Sequence, residues 1–230
     1  MDDVPHLTKE AQEAILAGMP VHQREARRTG VPSLGSGAIF PILESEIAID
    51  DFPIPEHWPR GFGMDTGWNF TAGVWGTRNR EADIVYVYDV YKQSEEKPSV
   101  HADAFKSRGS WIPGAGDCAD INRMDGEQFL ATYRRLGLDL VLPDKRSKEA
   151  NILEVWLRLT TGRLKIFKSC MAWWDEFRLY RRDENGKIVK ANDHVMDATQ
   201  YLIKTALNRM KVKPALKNAA QAWRPVSALS

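Results

Sequence analysis

Asp65, Asp117 and Asp197, with His194 close to the last of them, are the residues of this 230-residue chain whose types and placing could do chemistry together. Asp65 closes the glycine-rich run "GFGMD" at 61–65, Asp117 closes "WIPGAGD" at 111–117, and Asp197 lies inside "NDHVMDATQY". On a helix, Asp193, His194 and Asp197 fall on one face, so three polar groups share a patch. Clustered carboxylates repel one another, and burying them unpaired is expensive. A divalent cation removes the repulsion, and two or three carboxylates with water suit Mg²⁺ or Mn²⁺, which prefer oxygen ligands. Two such ions ~4 Å apart can activate a water and stabilise the leaving oxygen in phosphodiester hydrolysis. Each acid also has a plainer reading. Asp65-Thr66-Gly67 is good turn chemistry. Asp117 could cap the next segment, with Asp120 competing for its role, and Asp193 reads as a helix N-cap.

The elements that must position these groups follow from periodicity. Residues 61–65 and 69–77 read as strands, and the β-branched, aromatic "IVYVYDVY" at 84–91 as a third, so an antiparallel meander is expected. Then come a helix over 98–108 with Val100, Ala104 and Phe105 as its apolar side, a short strand ending at Asp117, a helix over 125–136, and the buried strand "LDLVLP". A helix over 147–161 buries Ile152, Val155, Trp156 and Leu159, and "RLKIF" is the next strand. Residues 171–182 read as helical, and Asn185-Gly186 marks a β-hairpin before the last helix. That helix opens at Asn192 or Asp193 and shows the stripe Val195, Ala198, Leu202 and Ala206. Three strands followed by alternating helices and strands predict an α/β fold, a mixed central sheet flanked by helices. Residues 7–19 read as a short amphipathic helix capped by Thr8. The segment 29–42 reads as a linker, and the proline-rich 41–59 as extended, so a compact domain is expected over 60–207, after an extension at 1–59 and before a basic tail at 208–230.

Composition narrows the classes. At 43% hydrophobic and 27% charged, the chain is ordinary for a globular protein. No apolar run nears the ~20 residues that span a bilayer, and "MDDVPHLTKE" lacks the features of a signal peptide. Cys118 and Cys170 form no CxxC pair, which argues against a zinc cluster or disulfide scaffold and reads as inert packing in a reducing compartment. No GxxxxGK[ST] phosphate loop occurs. Net charge is only +1, yet all six charged residues after Asp197 are basic: Lys204, Arg209, Lys211, Lys213, Lys217 and Arg224. Such a tail suits a polyanion or an acidic partner. Lys145, Arg146, Lys148, Arg181, Arg182, Lys187 and Lys190 are candidates for holding a phosphodiester backbone. His6, His22, His57 and His101 have no partners at metal-ligand spacing and read as surface residues.

Taken together, "GFGMDTGWNFTAGVWG", "WIPGAGDCAD" and "KIVKANDHVMDATQYLI" resemble the C-terminal nuclease domain of the large terminase subunit of tailed bacteriophages, over about residues 60–205. The run "DHVMDATQY" is the most specific part, and "GVPSLGSGAIFP" resembles the segment joining the family's ATPase domain to its nuclease. The resemblance implies an RNase H-like fold and a two-metal endonuclease, using Mg²⁺ or Mn²⁺, that cuts concatemeric viral DNA during packaging. It implies Asp65, Asp117 and Asp197 as metal ligands, with His194 as an auxiliary ligand or proton-transfer group and Asp120 as an alternative to Asp117. The implied partners are double-stranded DNA, the portal protein of the procapsid, the small terminase subunit and an ATPase motor domain, in the cytoplasm of an infected bacterium and with no membrane. Two other readings stand beside it: a non-catalytic module docking on DNA or portal through the basic tail, and an ATP-binding phosphotransferase of the actin and sugar-kinase type, suggested by "DTGWNFTAG".

Overall fold

The run that ends at Asp65 becomes an inner strand because nearly all of it is buried and it carries little side-chain bulk. The computed structural model describes residues 37–67, 70–117, 130–144 and 147–215. Its seven strands are β1 (Ala48–Ile49), β2 (Arg60–Thr66), β3 (Phe70–Asn79), β4 (Ile84–Ser94), β5 (Gly114–Asp117), β6 (Leu140–Val141) and β7 (Leu164–Phe167). They form one sheet in the order β1-β7-β4-β3-β2-β5-β6. The meander expected from sequence is present as β2–β3–β4, antiparallel throughout, with an irregularity between Trp75 and Gly76. β5 and β6 add to it in parallel beyond β2, and β7 and β1 in parallel beyond β4.

Parallel joins need crossovers, and helices supply them. α1 (Pro98–Ser107) lies between β4 and β5, and α2 (Lys148–Thr160) between β6 and β7. Residues 130–135, between β5 and β6, are also helical. Ser147 caps α2 by accepting a hydrogen bond from the Ala150 amide. α3 (Met171–Leu179) and α4 (His194–Lys204) follow, and then a 3-10 turn, Ala206–Arg209.

Both sheet faces are covered. Phe62, Met64, Trp75, Phe105, Tyr133 and Leu140 build one core. On the other, Val74, Val87 and Ile166 meet residues of α2, α3 and α4, among them Val155, Trp173, Phe177 and Leu202.

Several expectations need correction. The buried face of α1 is His101, Ala102 and Phe105, while Val100 is exposed. His101 is therefore no surface residue: its Nδ1 lies 2.8 Å from the Tyr91 hydroxyl. α3 stops at Leu179, and Tyr180 turns extended. The hairpin is a tight one, closed by a single antiparallel bridge between Arg182 and Ile188. Asp183 Oδ1 accepts from the amides of Asn185 and Lys187, and Gly186 supplies the positive φ of 75° that the turn requires. Residues 38–59, expected to lie outside the compact part, are built into it. Ile39, Phe40, Ile42 and Ile47 are buried, and β1 pairs with β7. The prolines deny this stretch long regular elements, but its apolar side chains still cover the sheet edge. Of the basic tail, Arg209 and Lys211 pair with Asp139, and Lys213 with Glu56. The helix expected at 7–19, His6, His22, Cys118, Asp120, Lys145, Arg146, Lys217 and Arg224 lie outside the described residues.

Candidate functional site

Close approach of backbone to backbone sets this site. A Cβ on Gly63 would run into the carbonyl oxygen of Ala198 and sit 2.7 Å from the Leu202 amide. Only glycine lets α4 lie directly on β2 here. The consequence is positional: Asp197, one residue before Ala198, comes to the end of β2 where Asp65 stands. Asp65 is in turn the direct cross-strand partner of Asp117 on β5. Neighbouring strands lie ~5 Å apart, and two unit charges at that distance repel by about 3 kcal/mol at an effective dielectric constant near 20. The chain has thus placed like charges together at the end of its sheet.

Asp65, Asp117, Asp193, His194 and Asp197 line one cavity of about 490 Å³, with Thr66, Lys148, Asn151, Lys190 and Tyr201. Each of the three central carboxylates has a protein donor of its own. His194 Nδ1 lies 2.9 Å from Asp65 Oδ2; against an ionised carboxylate, Nδ1 carries the proton. Lys148 donates to Asp197 in a short charged contact. The Tyr201 hydroxyl donates to Asp117 Oδ2 at 3.3 Å. Gln200 also donates to Asp197, at 3.1 Å.

Positive charge falls short of negative charge here, and the ionisation of the site reflects it. Burial pushes the Asp65 carboxyl up to about 6 against the pull of the His194 hydrogen bond, and the charges of Asp197 and Asp117 push the same way. Burial also raises Asp197, although Lys148 opposes the shift. His194 is raised, chiefly by its hydrogen bond to Asp65. Tyr201, desolvated among three acids, is held firmly in its neutral, donating form.

Among the described residues, no three carboxylate, imidazole or thiol groups stand where they could jointly hold a metal ion as now arranged. Hydrogen bonds to Lys148, His194 and Tyr201 engage them instead. The donor set is nonetheless hard oxygen in excess of its counter-charge, which is the chemistry Mg²⁺ and Mn²⁺ match.

Of the residues expected to bind phosphate, Lys148 and Lys190 line this cavity. Arg182 is engaged on the surface by Glu149, at 2.6 Å. Arg181 and Lys187 are exposed and line no part of the cavity. Asp193, expected as an N-cap, makes no side-chain capping bond. Instead, Glu176 Oε2 accepts from the amides of Val195 and Met196, at 2.7 and 3.4 Å.

Sequence reasoning missed Tyr201, the pairing of Lys148 with Asp197, and Glu176. Tyr201 was findable, since it sits four residues after Asp197 on the same helix face. The other two depend on partners supplied by distant elements.

The sheet order, the carboxylates at the ends of β2 and β5 and the acid on the closing helix define an RNase H-like domain of nuclease type. The chain belongs to the terminase RNaseH-like domain family, which it matches over residues 62–205. It is 39% identical to the large terminase subunit of Salmonella phage P22 over 211 residues, which are 86% of this chain and 42% of that protein. It therefore spans less than half the length of that relative. The structure of the P22 large terminase nuclease domain superposes with a TM-score of 0.70 at 34% identity, over 77% of this chain and 96% of that one. The nuclease domain of the bacteriophage SPP1 large terminase, solved with bound Mn, shares the fold at 18% identity and a TM-score of 0.51, over 70% of this chain and 94% of that one.

Proposed function

We propose that this chain is a metal-dependent DNA endonuclease, the part of a phage large terminase that cuts concatemeric viral DNA during genome packaging. One observation carries the reading: β2, β5 and α4 bring Asp65, Asp117 and Asp197 to a single cavity. Asp65, Asp117 and Asp197 would hold two Mg²⁺ or Mn²⁺ ions, and the manganese in the SPP1 nuclease domain is consistent with this. When bound, the ions supply an activated water and charge stabilisation at the leaving oxygen.

The chain's own residues do the rest. Asp65 faces Asp117 across the strands and lies near the acid of α4, so it would be the central ligand of the three. His194 holds Asp65 in orientation through Nδ1 and can take or give a proton near neutral pH. Tyr201 steadies Asp117 through its hydroxyl. Lys148 neutralises Asp197 in the metal-free protein, and its ammonium would be free to hold a DNA phosphate if a cation neutralised Asp197 instead. Lys190, on the cavity wall, is placed for a second phosphate contact, while Arg181, Arg182 and Lys187 extend the basic surface around the hairpin.

In the packaging machine the expected partners are double-stranded DNA, the portal protein, the small terminase subunit and the ATPase motor domain, in the cytoplasm of the infected bacterium. Docking by the tail alone is less favoured, because Lys211 and Lys213 are already paired with Asp139 and Glu56.

The test is plasmid cleavage by the purified protein. With Mn²⁺ or Mg²⁺ it should nick and then linearise supercoiled DNA. Cleavage that survives EDTA, or survives Asp65→Ala, sinks the mechanism.

A further inference from the structure

The first backbone N–H groups of a helix need acceptors, ordinarily from the residue just before it. In α4, which carries both His194 and Asp197, the acceptor comes from another helix. Glu176 of α3 is 2% exposed, and its Oε2 takes the amides of Val195 and Met196. Burying a carboxylate this deeply costs several kcal/mol unless charge and hydrogen bonds compensate. Here the positive end of the α4 dipole contributes. So does Lys92 of β4, whose Nζ lies 2.8 Å from Glu176 Oε1. This contact is an ion pair without hydrogen-bond geometry.

Lys92 does not stop at Glu176. Its ammonium stands 5.0 Å from the centroid of the Phe70 ring, and Phe70 lies 5.6 Å from the His194 ring, tilted by 42°. His194 then bonds Asp65. A local cap such as Asp193 would satisfy the amides without fixing where the helix sits. A cap delivered from α3, and itself tied to β4, fixes the first turn of α4 against two other elements.

We propose that Glu176, with Lys92, is a positioning residue: it sets the place of the first turn of α4 and so holds His194 in reach of Asp65 and Asp197 in line with the other two acids. The His194–Asp65 part stands on geometry alone; the consequence for metal rests on the nuclease reading above.

The experiment compares the full chain with Glu176→Gln, which keeps one acceptor, and Glu176→Leu, which keeps none. Leu159→Ala, a destabilising change in buried α2 packing, is the control. In the metal-free protein, amide exchange at Val195 and Met196 should rise at least about tenfold beyond the control in Glu176→Leu, and less in Glu176→Gln. The downfield Nδ1 proton resonance of His194 should be lost in Glu176→Leu and kept in Leu159→Ala. Mn²⁺ binding, measured by calorimetry, should weaken about 10- to 100-fold. If Glu176→Leu does not fold, Glu176→Gln alone must show the exchange increase and a weakened His194 signal. The proposal is overturned if these amides and the His194 resonance behave as in the control. It is also overturned if the wild type binds Mn²⁺ and the Glu176 variants bind it equally well. A wild type that binds no Mn²⁺ while the exchange and resonance changes appear overturns the nuclease reading instead, and leaves the positioning role supported.

Discussion

The two ends of the sheet handle charge in opposite ways. At one end, Asp65, Asp117 and Asp197 share a cavity, and burial raises the carboxyls of Asp65 and Asp197, with the charges of Asp197 and Asp117 adding to it at Asp65 and that of Asp193 at Asp197. At the other, after β3, Asp83 faces the guanidinium groups of Arg78, Arg158 and Arg163. The Arg78 hydrogen bond leads in holding Asp83 below the usual carboxylate range. One end is over-supplied with positive charge and has no need of an added cation. The other is short of it and spends stability to hold acids together. Folding does not account for that expense; the cation site proposed above would.

The contrast is easiest to break with DNA. Asp65→Ala should lower plasmid cleavage at least about 1,000-fold, since it removes a group no neighbour replaces. Asp83→Ala should leave the cleavage rate unchanged, and equal losses in the two variants would erase the distinction between the ends. Next in size is Gly63→Ala, which drives a methyl into the α4 backbone. It should cost about 3 kcal/mol or more in urea denaturation, or prevent folding.

Proton linkage separates the ends by sign. Asp65 sits at about 6 in the fold against 3.8 unfolded, and His194 is also raised. Both contribute stability at low pH that is lost as pH rises through their folded values. The metal-free protein should therefore lose up to about 3 kcal/mol between about pH 3 and pH 8 through Asp65, with somewhat over about 1 kcal/mol of it lost above pH 5, and Asp65→Asn should flatten the slope. Asp83 is lowered, so its contribution is present above about pH 4 and disappears in acid. A metal-free melting temperature that climbs from pH 5 to pH 8 would contradict the reading of the cavity end.

Lys148→Met removes the cation now resting on Asp197. It should lower metal-free stability by about 1–2 kcal/mol, and saturating Mn²⁺ should raise the melting temperature more in this variant than in the wild type. The smallest effect belongs to the surface. Arg182→Ala breaks a pair with Glu149 that faces solvent, and should cost under about 1 kcal/mol.

Much of this molecule was legible in sequence where one element decides the outcome. "IVYVYDVY" is a strand in any context, and the stripe Val195, Ala198 and Leu202 could only face a core. The carboxylates were findable because each ends or opens an element with its own signal. What could not be read depends on contacts between elements remote in the chain. Residues 38–59 show no long periodicity, yet Phe40 and Ile47 complete the core. Glu176 looks like any helix acid until α4 is laid against it. His101 has no partner at sequence spacing because its partner, Tyr91, stands on another element. Gly63 is similar: its strand was readable, but the reason for a glycine is the approach of Ala198.

The strap at residues 37–39 also makes the domain mechanically directional. Ala38 bridges Arg181 in antiparallel register, with hydrogen bonds from the Ile39 amide to Tyr180 O and from the Arg182 amide to Gly37 O. A pull arriving through the chain before Gly37 is thus borne first by this clasp on residues 180–182. From there the backbone runs through the hairpin into Lys190, Ala191, Asn192 and Asp193, which form a wall of the cavity. Tension applied upstream would load the rim of the site before the strands beneath it.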